Sequence, residues 1–80
     1  MAKPTQYVAH SPVGTFTRRS QRTYTHAVVT ANESGSWTHA EWCGRRDLAE
    51  KLANRYRGGR TSWGAPFVGR VYVVEAKPLP

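Results

Sequence analysis

One stretch of this chain carries apolar side chains at helical spacing, and glycine bounds it on both sides. Leu48, Leu52 and Tyr56 recur every four residues, with Ala49 and Ala53 beside them, between Gly44 and the pair Gly58-Gly59. That spacing lines them along one stripe of a helix. Cys43 or Gly44 is placed to cap it. Asp47 in the first turn and Arg55 and Arg57 in the last suit the helix dipole, and Asp47 and Lys51 are spaced for an i,i+4 pair. The double glycine stops the helix. One short amphipathic helix cannot form a core alone, so the remaining residues must supply a surface for it to cover.

They supply strands. Thr23 to Ala31 is dense in β-branched and aromatic residues, and Ser36 to Trp42 alternates after the turn signal Asn32-Glu33-Ser34-Gly35. A third strand, Phe67 to Glu75, is ended by Pro78 and Pro80. With a plain two-residue turn, Ala31 faces Ser36, so Ala27, Val29, Ala40 and Trp42 share one face and His26, His39 and Glu41 the other. With a glycine bulge the partner shifts by one, and His26 joins Ala40 and Trp42. In either register Trp37, His39 and Glu41 point one way, and Thr38, Ala40 and Trp42 the other.

Residues 1–21 are rich in Pro, Ser, Thr and Arg and read as a basic arm, with an edge strand near Thr15–Arg19. The expected architecture is α+β: one domain over 22–77, in the order strand, strand, helix, strand. Its mainly antiparallel sheet has three or four strands, with the helix packed on one face, and 78–80 form a tail. Leu48, Leu52 and Tyr56 should meet Val28 or Val29, Trp42, Val71 and Val73, and Phe67 also belongs to the core. Eighty residues is close to the lower limit for a core without a staple. The single cysteine, Cys43, cannot form an internal disulfide or a Cys-rich zinc site, and reads as a small buried residue. The N-terminus lacks the apolar run of a signal peptide, and no apolar run is long enough to span a bilayer. A reducing cytoplasm and no membrane partner are the expectation.

The charge is strongly one-sided: twelve Lys and Arg against five Asp and Glu, a formal net charge of +7. Such an excess draws polyanions. Arg18, Arg19 and Arg22 sit among Ser, Thr and Gln, the residue types that bind backbone phosphate. Arg45, Arg46, Arg57 and Arg60, with Lys51 and Arg55, form a second basic group around the helix. Gly58-Gly59 is not a phosphate loop, because no strand–loop–helix order ending in Lys-Ser or Lys-Thr surrounds it. Trp37, Trp63 and Tyr24 are the aromatics a core least requires. Among cations they would stack on unpaired bases or anchor a protein partner, and His39 lies beside Trp37 in the second role.

Two stretches, Arg22-Thr23-Tyr24-Thr25-His26-Ala27-Val28-Val29 and Trp42-Cys43-Gly44-Arg45-Arg46-Asp47-Leu48-Ala49, resemble small uncharacterised proteins encoded by phages of actinobacteria. The likeness spans residues 18–53. It implies an accessory protein acting inside a bacterial host and carries no catalytic residues with it. GC-rich genomes of that kind also favour Arg over Lys whatever the function.

Two partner classes follow: nucleic acid, DNA or RNA, gripped through the arginines, and a host protein docked through Trp37, His39, Trp63 and an open sheet edge. An open edge would also serve a homodimer. A third reading takes His26, His39 and Glu41, with Tyr24 and a nearby Arg, as the residue types of a metal-independent ribonuclease. A hairpin that supplies no enclosure argues against it, so no catalytic residue, metal ligand or cofactor is expected.

Overall fold

Two hairpins, not one, make the sheet, and they are joined by the strand that follows the helix. The computed structural model describes residues 3–61 and 63–79. Met1 and Ala2 of the expected arm, Ser62 of the loop before Pro66, and Pro80 of the tail lie outside them. Within that range run β1 (Thr5–Ser11), β2 (Gly14–Ser20), β3 (His26–Asn32), β4 (Thr38–Cys43), α1 (Arg46–Arg57) and β5 (Gly69–Pro78). The strands lie in the order β2-β1-β5-β3-β4, and every neighbouring pair is antiparallel. The α+β class holds. The strand count is five, above the expected three or four.

Two strands come from the segment read as an arm with an edge strand near Thr15–Arg19: β2 is at that place and at the sheet's edge, and β1 is the strand not expected. Thr5 pairs with Ser20 and Ser11 with Gly14, which leaves Pro12-Val13 as a two-residue turn. Pro4 and Pro12 both fall outside the paired residues, where a missing N–H costs nothing. The Ser11 hydroxyl donates to the Gly14 carbonyl at 2.7 Å and accepts from the Val13 N–H at 3.3 Å. Tyr7, Val8 and Ala9 then pair with Pro78, Lys77 and Ala76 of β5. Phe67, expected at the start of the last strand, lies just before it. Its N–H donates to the Gly59 carbonyl at 2.7 Å, and its ring packs edge-on against Tyr56, with centroids 5.0 Å apart.

The β3–β4 register is neither of the two expected from the turn. Ala31 faces Thr38, so residues 33–36 form a four-residue loop. Asn32 closes it: its N–H donates to the Trp37 carbonyl at 3.1 Å, and its side-chain oxygen accepts the Trp37 N–H at 3.0 Å. The Asn32 amide nitrogen also donates to the Ser36 hydroxyl at 2.9 Å. A shift of two positions leaves the faces of the plain turn unchanged. Ala27, Val29, Ala40 and Trp42 share one face, and His26, His39, Glu41 and Cys43 the other.

The helix covers the second of these faces. Val28 packs with Ala49, Ala53, Tyr56 and Phe67, flanked by Cys43, Leu52, Val71 and Val73. The two alanines are fully buried, so the helix sits close on the sheet. Leu48 does not join this core and is 44% exposed. Ala49, Ala53 and Tyr56 centre the stripe, and at 100° per residue Leu48 falls about a quarter-turn to its side. The helix starts at Arg46 with Arg45 as its N-cap, which makes no side-chain cap hydrogen bond. Arg45 instead forms a two-pronged pair with Asp47, at 3.1 and 2.9 Å, in place of the expected Asp47–Lys51 pair.

No helix lies on the other face, yet Tyr7, Ala9, Ala27, Val29, Ala31 and Ala76 are buried there. Curling of the sheet accounts for this. Tyr24, between β2 and β3, meets Tyr7 of β1 edge-on at 5.4 Å and the Trp42 ring of β4 at 6.0 Å. Two strands, β5 and β3, separate β1 from β4 in the sheet, so this bridge brings the outer strands β2 and β4 toward each other. Trp42, expected wholly in the core, lies at that margin and is half-buried.

Candidate nucleic-acid interface

Where the two edges approach, a groove of about 350 Å³ is lined by Arg18, Arg22 and Tyr24 on one side and His39, Ala40, Glu41 and Trp42 on the other. Residues from both faces of β4 line it, so it runs along the strand's edge. The Asn32–Trp37 backbone bond fixes the alternation of the β3–β4 ladder. Trp37, His39, Glu41 and Cys43 bond inward, and the N–H and C=O groups of Thr38, Ala40 and Trp42 point outward along the groove.

The basic wall is organised around Tyr24. The Arg18 guanidinium lies over its ring, 5.8 Å from the centroid, within reach of a cation–π contact. The Ser20 hydroxyl donates to the phenol oxygen at 3.5 Å. That hydrogen bond, and behind it the charges of Arg18 and Arg22, favour the phenolate and lower the Tyr24 pKa, against a partial penalty from burial. The Ser20 hydroxyl also accepts the Arg22 N–H at 3.0 Å, which holds Arg22 at the strand end. Arg19 is not part of this wall. Neighbours on a strand point to opposite faces, and Arg19 lines a separate hollow with Lys3, Pro4, Thr5, Gln6 and Leu79, which contains no aromatic ring.

On the far side, Trp37, His39 and Trp63 come together. Trp37 stacks on the His39 ring with centroids 5.8 Å apart and planes 20° apart, and Trp63 meets the same ring edge-on at 6.1 Å. Phe67 supports Trp37 from below at 6.5 Å. Trp37 is 38% and Trp63 62% exposed. Trp63 is carried at the tip of a loop tied down at its base. Arg60 bridges Pro66, the Thr61 N–H donates to the Ala65 carbonyl at 2.8 Å, and the Ala65 N–H donates to the Thr61 hydroxyl at 2.9 Å. The Arg60 guanidinium donates to the Gly64 carbonyl at 3.3 Å, so its first partner is its own loop.

His39 thus belongs to both groups, the ring cluster and the groove. Behind it, Glu41 lies 3.4 Å from His39 Nε2 and accepts the Tyr56 hydroxyl at 2.5 Å. His26 is not brought to them. It pairs with Cys43 at the other end of the hairpin and bonds Thr25 at 2.9 Å. Among the described residues, no three His, Cys, Asp or Glu side chains gather as a metal-ligand set. The second basic group is dispersed. Arg45 is held by Asp47, Arg46 reaches Glu50 at 3.8 Å, and Arg57 donates to the Asn54 side chain at 3.3 Å. The Cys43 thiol faces the helix, where burial and the nearby Glu41 charge raise its pKa, the opposite of a reactive cysteine.

Of the residues lining the groove, sequence reasoning assigned Trp42 to the core, gave Ala40 no role, and used Glu41 only in its ribonuclease reading. Their shared place depends on the curl of the sheet, which no local pattern reports. No helix among the described residues is long and apolar enough to cross a membrane. No protein-family model, curated protein or solved structure matches this chain.

Proposed function

We propose that this is a non-enzymatic nucleic-acid-binding protein that takes the phosphate backbone along the β4 edge. One observation supports this above the rest: Arg18 and Arg22 face the outward backbone groups of Ala40 and Trp42 across one groove, with His39 joining that groove to exposed aromatic rings. Guanidinium and backbone N–H groups are the usual donors to phosphate, and the net charge of +7 brings the polyanion in. The remaining arginines add a diffuse field. An accessory role for a phage, in the cytoplasm of its bacterial host, fits this reading and the resemblance of residues 18–53.

Binding of a labelled single-stranded oligonucleotide should weaken steeply with salt. With four to six phosphates neutralised, the log–log slope is about −3 to −4. Replacing both Arg18 and Arg22 by Gln should make it shallower by about 1.4, whereas Arg45→Gln, already paired with Asp47, should change it little. Fluorescence anisotropy across a salt titration reads both, and the strand should leave the assay uncut without added metal. Binding no tighter than that of a neutral protein at low salt would refute the proposal.

A host-protein partner is the second reading, favoured by the same free edge. Thr38, Ala40 and Trp42 offer a row of backbone groups to which an extended segment, or β4 of a second copy, would add as a strand.

A further inference from the structure

We infer, building on the nucleic-acid reading, that the ligand is a single strand: its bases stack on Trp37 and Trp63 while its backbone crosses the β4 edge to Arg18 and Arg22. The rings and the cations lie on opposite sides of one strand, with His39 packed against the rings and lining the groove that the cations line. Backbone and bases of an unpaired strand can separate in this way, phosphates into the groove and bases onto the rings. A duplex cannot, because each base face is already covered by its neighbour in the stack, leaving the rings only an end pair to meet.

The ring cluster is built for this use and adds little to the core. Trp63 is 62% exposed at the tip of a loop whose base is fixed by Thr61, Ala65 and the Arg60–Pro66 bridge. The Trp37 backbone is held by the N–H and the side-chain oxygen of Asn32, and its ring is supported by Phe67. Exposed rings beside a groove lined by arginines form a stacking platform along a charged track, and such a platform tolerates any base because every base has a π-face. Discrimination between single strand and duplex, with little preference among sequences, is the expected behaviour.

The probes are a twelve-nucleotide thymidine strand, a strand of the same length with abasic sugars, and a twelve-base-pair duplex, each titrated at one low salt concentration. The thymidine strand should bind more tightly than the other two. Trp63→Ala should weaken its binding roughly 5- to 150-fold, the range for loss of one stacked base, while leaving the salt slope and the melting temperature unchanged. On the abasic strand, Trp63→Ala and the unsubstituted protein should bind alike. Trp37→Phe, which keeps a ring, should retain most of the affinity if Trp37→Ala fails to fold. Duplex or abasic binding as tight as that of the thymidine strand, or indifference to Trp63→Ala, overturns the stacking inference and leaves the phosphate reading standing. No binding to any probe removes both.

Discussion

Gly69→Ala should leave this protein largely unfolded. Gly69 opens β5 opposite Asn32. A Cβ built there would lie 2.1 Å from the Ala31 carbonyl oxygen and 3.0 Å from the Ala31 carbonyl carbon and the Asn32 Cα. All three are backbone atoms of β3, which is held on its other side by the Asn32–Trp37 backbone bond, so no flexible side chain can swing away. Relief requires moving β5 off β3, along the seam that joins the two halves of the sheet. Overpacking of this severity costs about 3 kcal/mol or more, and a domain of this size has about 3–5 kcal/mol in total. Gly64→Ala is the control. Its φ of +89° carries strain, but nothing lies within 4 Å of the added methyl, and the cost should be about 1–2 kcal/mol. Urea denaturation measures both. A Gly69→Ala protein with a urea midpoint close to the original's would show that the strands are not this close.

The second large effect is expected at Tyr56. Its ring is fully buried between the helix and the sheet, edge-on to Phe67, and its hydroxyl donates to Glu41 at 2.5 Å. Tyr56→Ala removes the largest side chain in the helix–sheet layer and should cost about 3–5 kcal/mol. Tyr56→Phe keeps the ring but takes the donor from Glu41, and should cost about 1–3 kcal/mol. The difference between their urea midpoints separates packing from the hydrogen bond. Equal losses in the two variants would mean the ring contributes little, contrary to its burial.

What could be read from residues alone was what depends on neighbours in sequence. The helix position follows from Leu52, Ala53 and Tyr56 and the double glycine. In the β3–β4 hairpin, the division of Trp37, His39 and Glu41 from Thr38, Ala40 and Trp42 follows from strict alternation. The hairpin's register did not, because the Asn32 side chain closes a longer loop than the Asn-x-x-Gly pattern suggests, and a side chain's choice of partner is not a matter of spacing. Strand β1 was hidden for a different reason. Tyr7-Val8-Ala9 is too short to declare itself, and it is a strand only because β2 and β5 pair on its two sides. Trp37, Trp63 and Tyr24 were singled out as aromatics the core did not need; the structure brings the two Trp rings together on His39 and places Tyr24 elsewhere, between Tyr7 and Trp42. Arg18, Arg19 and Arg22 looked like one group from their proximity, but alternation along β2 sends Arg19 elsewhere. The groove itself depends on β2 curling toward β4, a relation between residues more than fifteen positions apart.

The middle strand of the sheet, β5, follows both hairpins in the sequence. β5 separates the two hairpins and pairs with a strand of each, β1 on one side and β3 on the other. During translation, each hairpin therefore emerges without the neighbour that would stabilise it, and an isolated two-stranded hairpin is marginal in water. The groove cannot exist at that stage either, since its walls belong to different hairpins. The binding surface and the fold are thus completed by one event, the insertion of β5 between two waiting edges. A chain whose β5 has not yet inserted has no partially competent form that could capture a ligand, and pairing between such distant segments is also the slow kind.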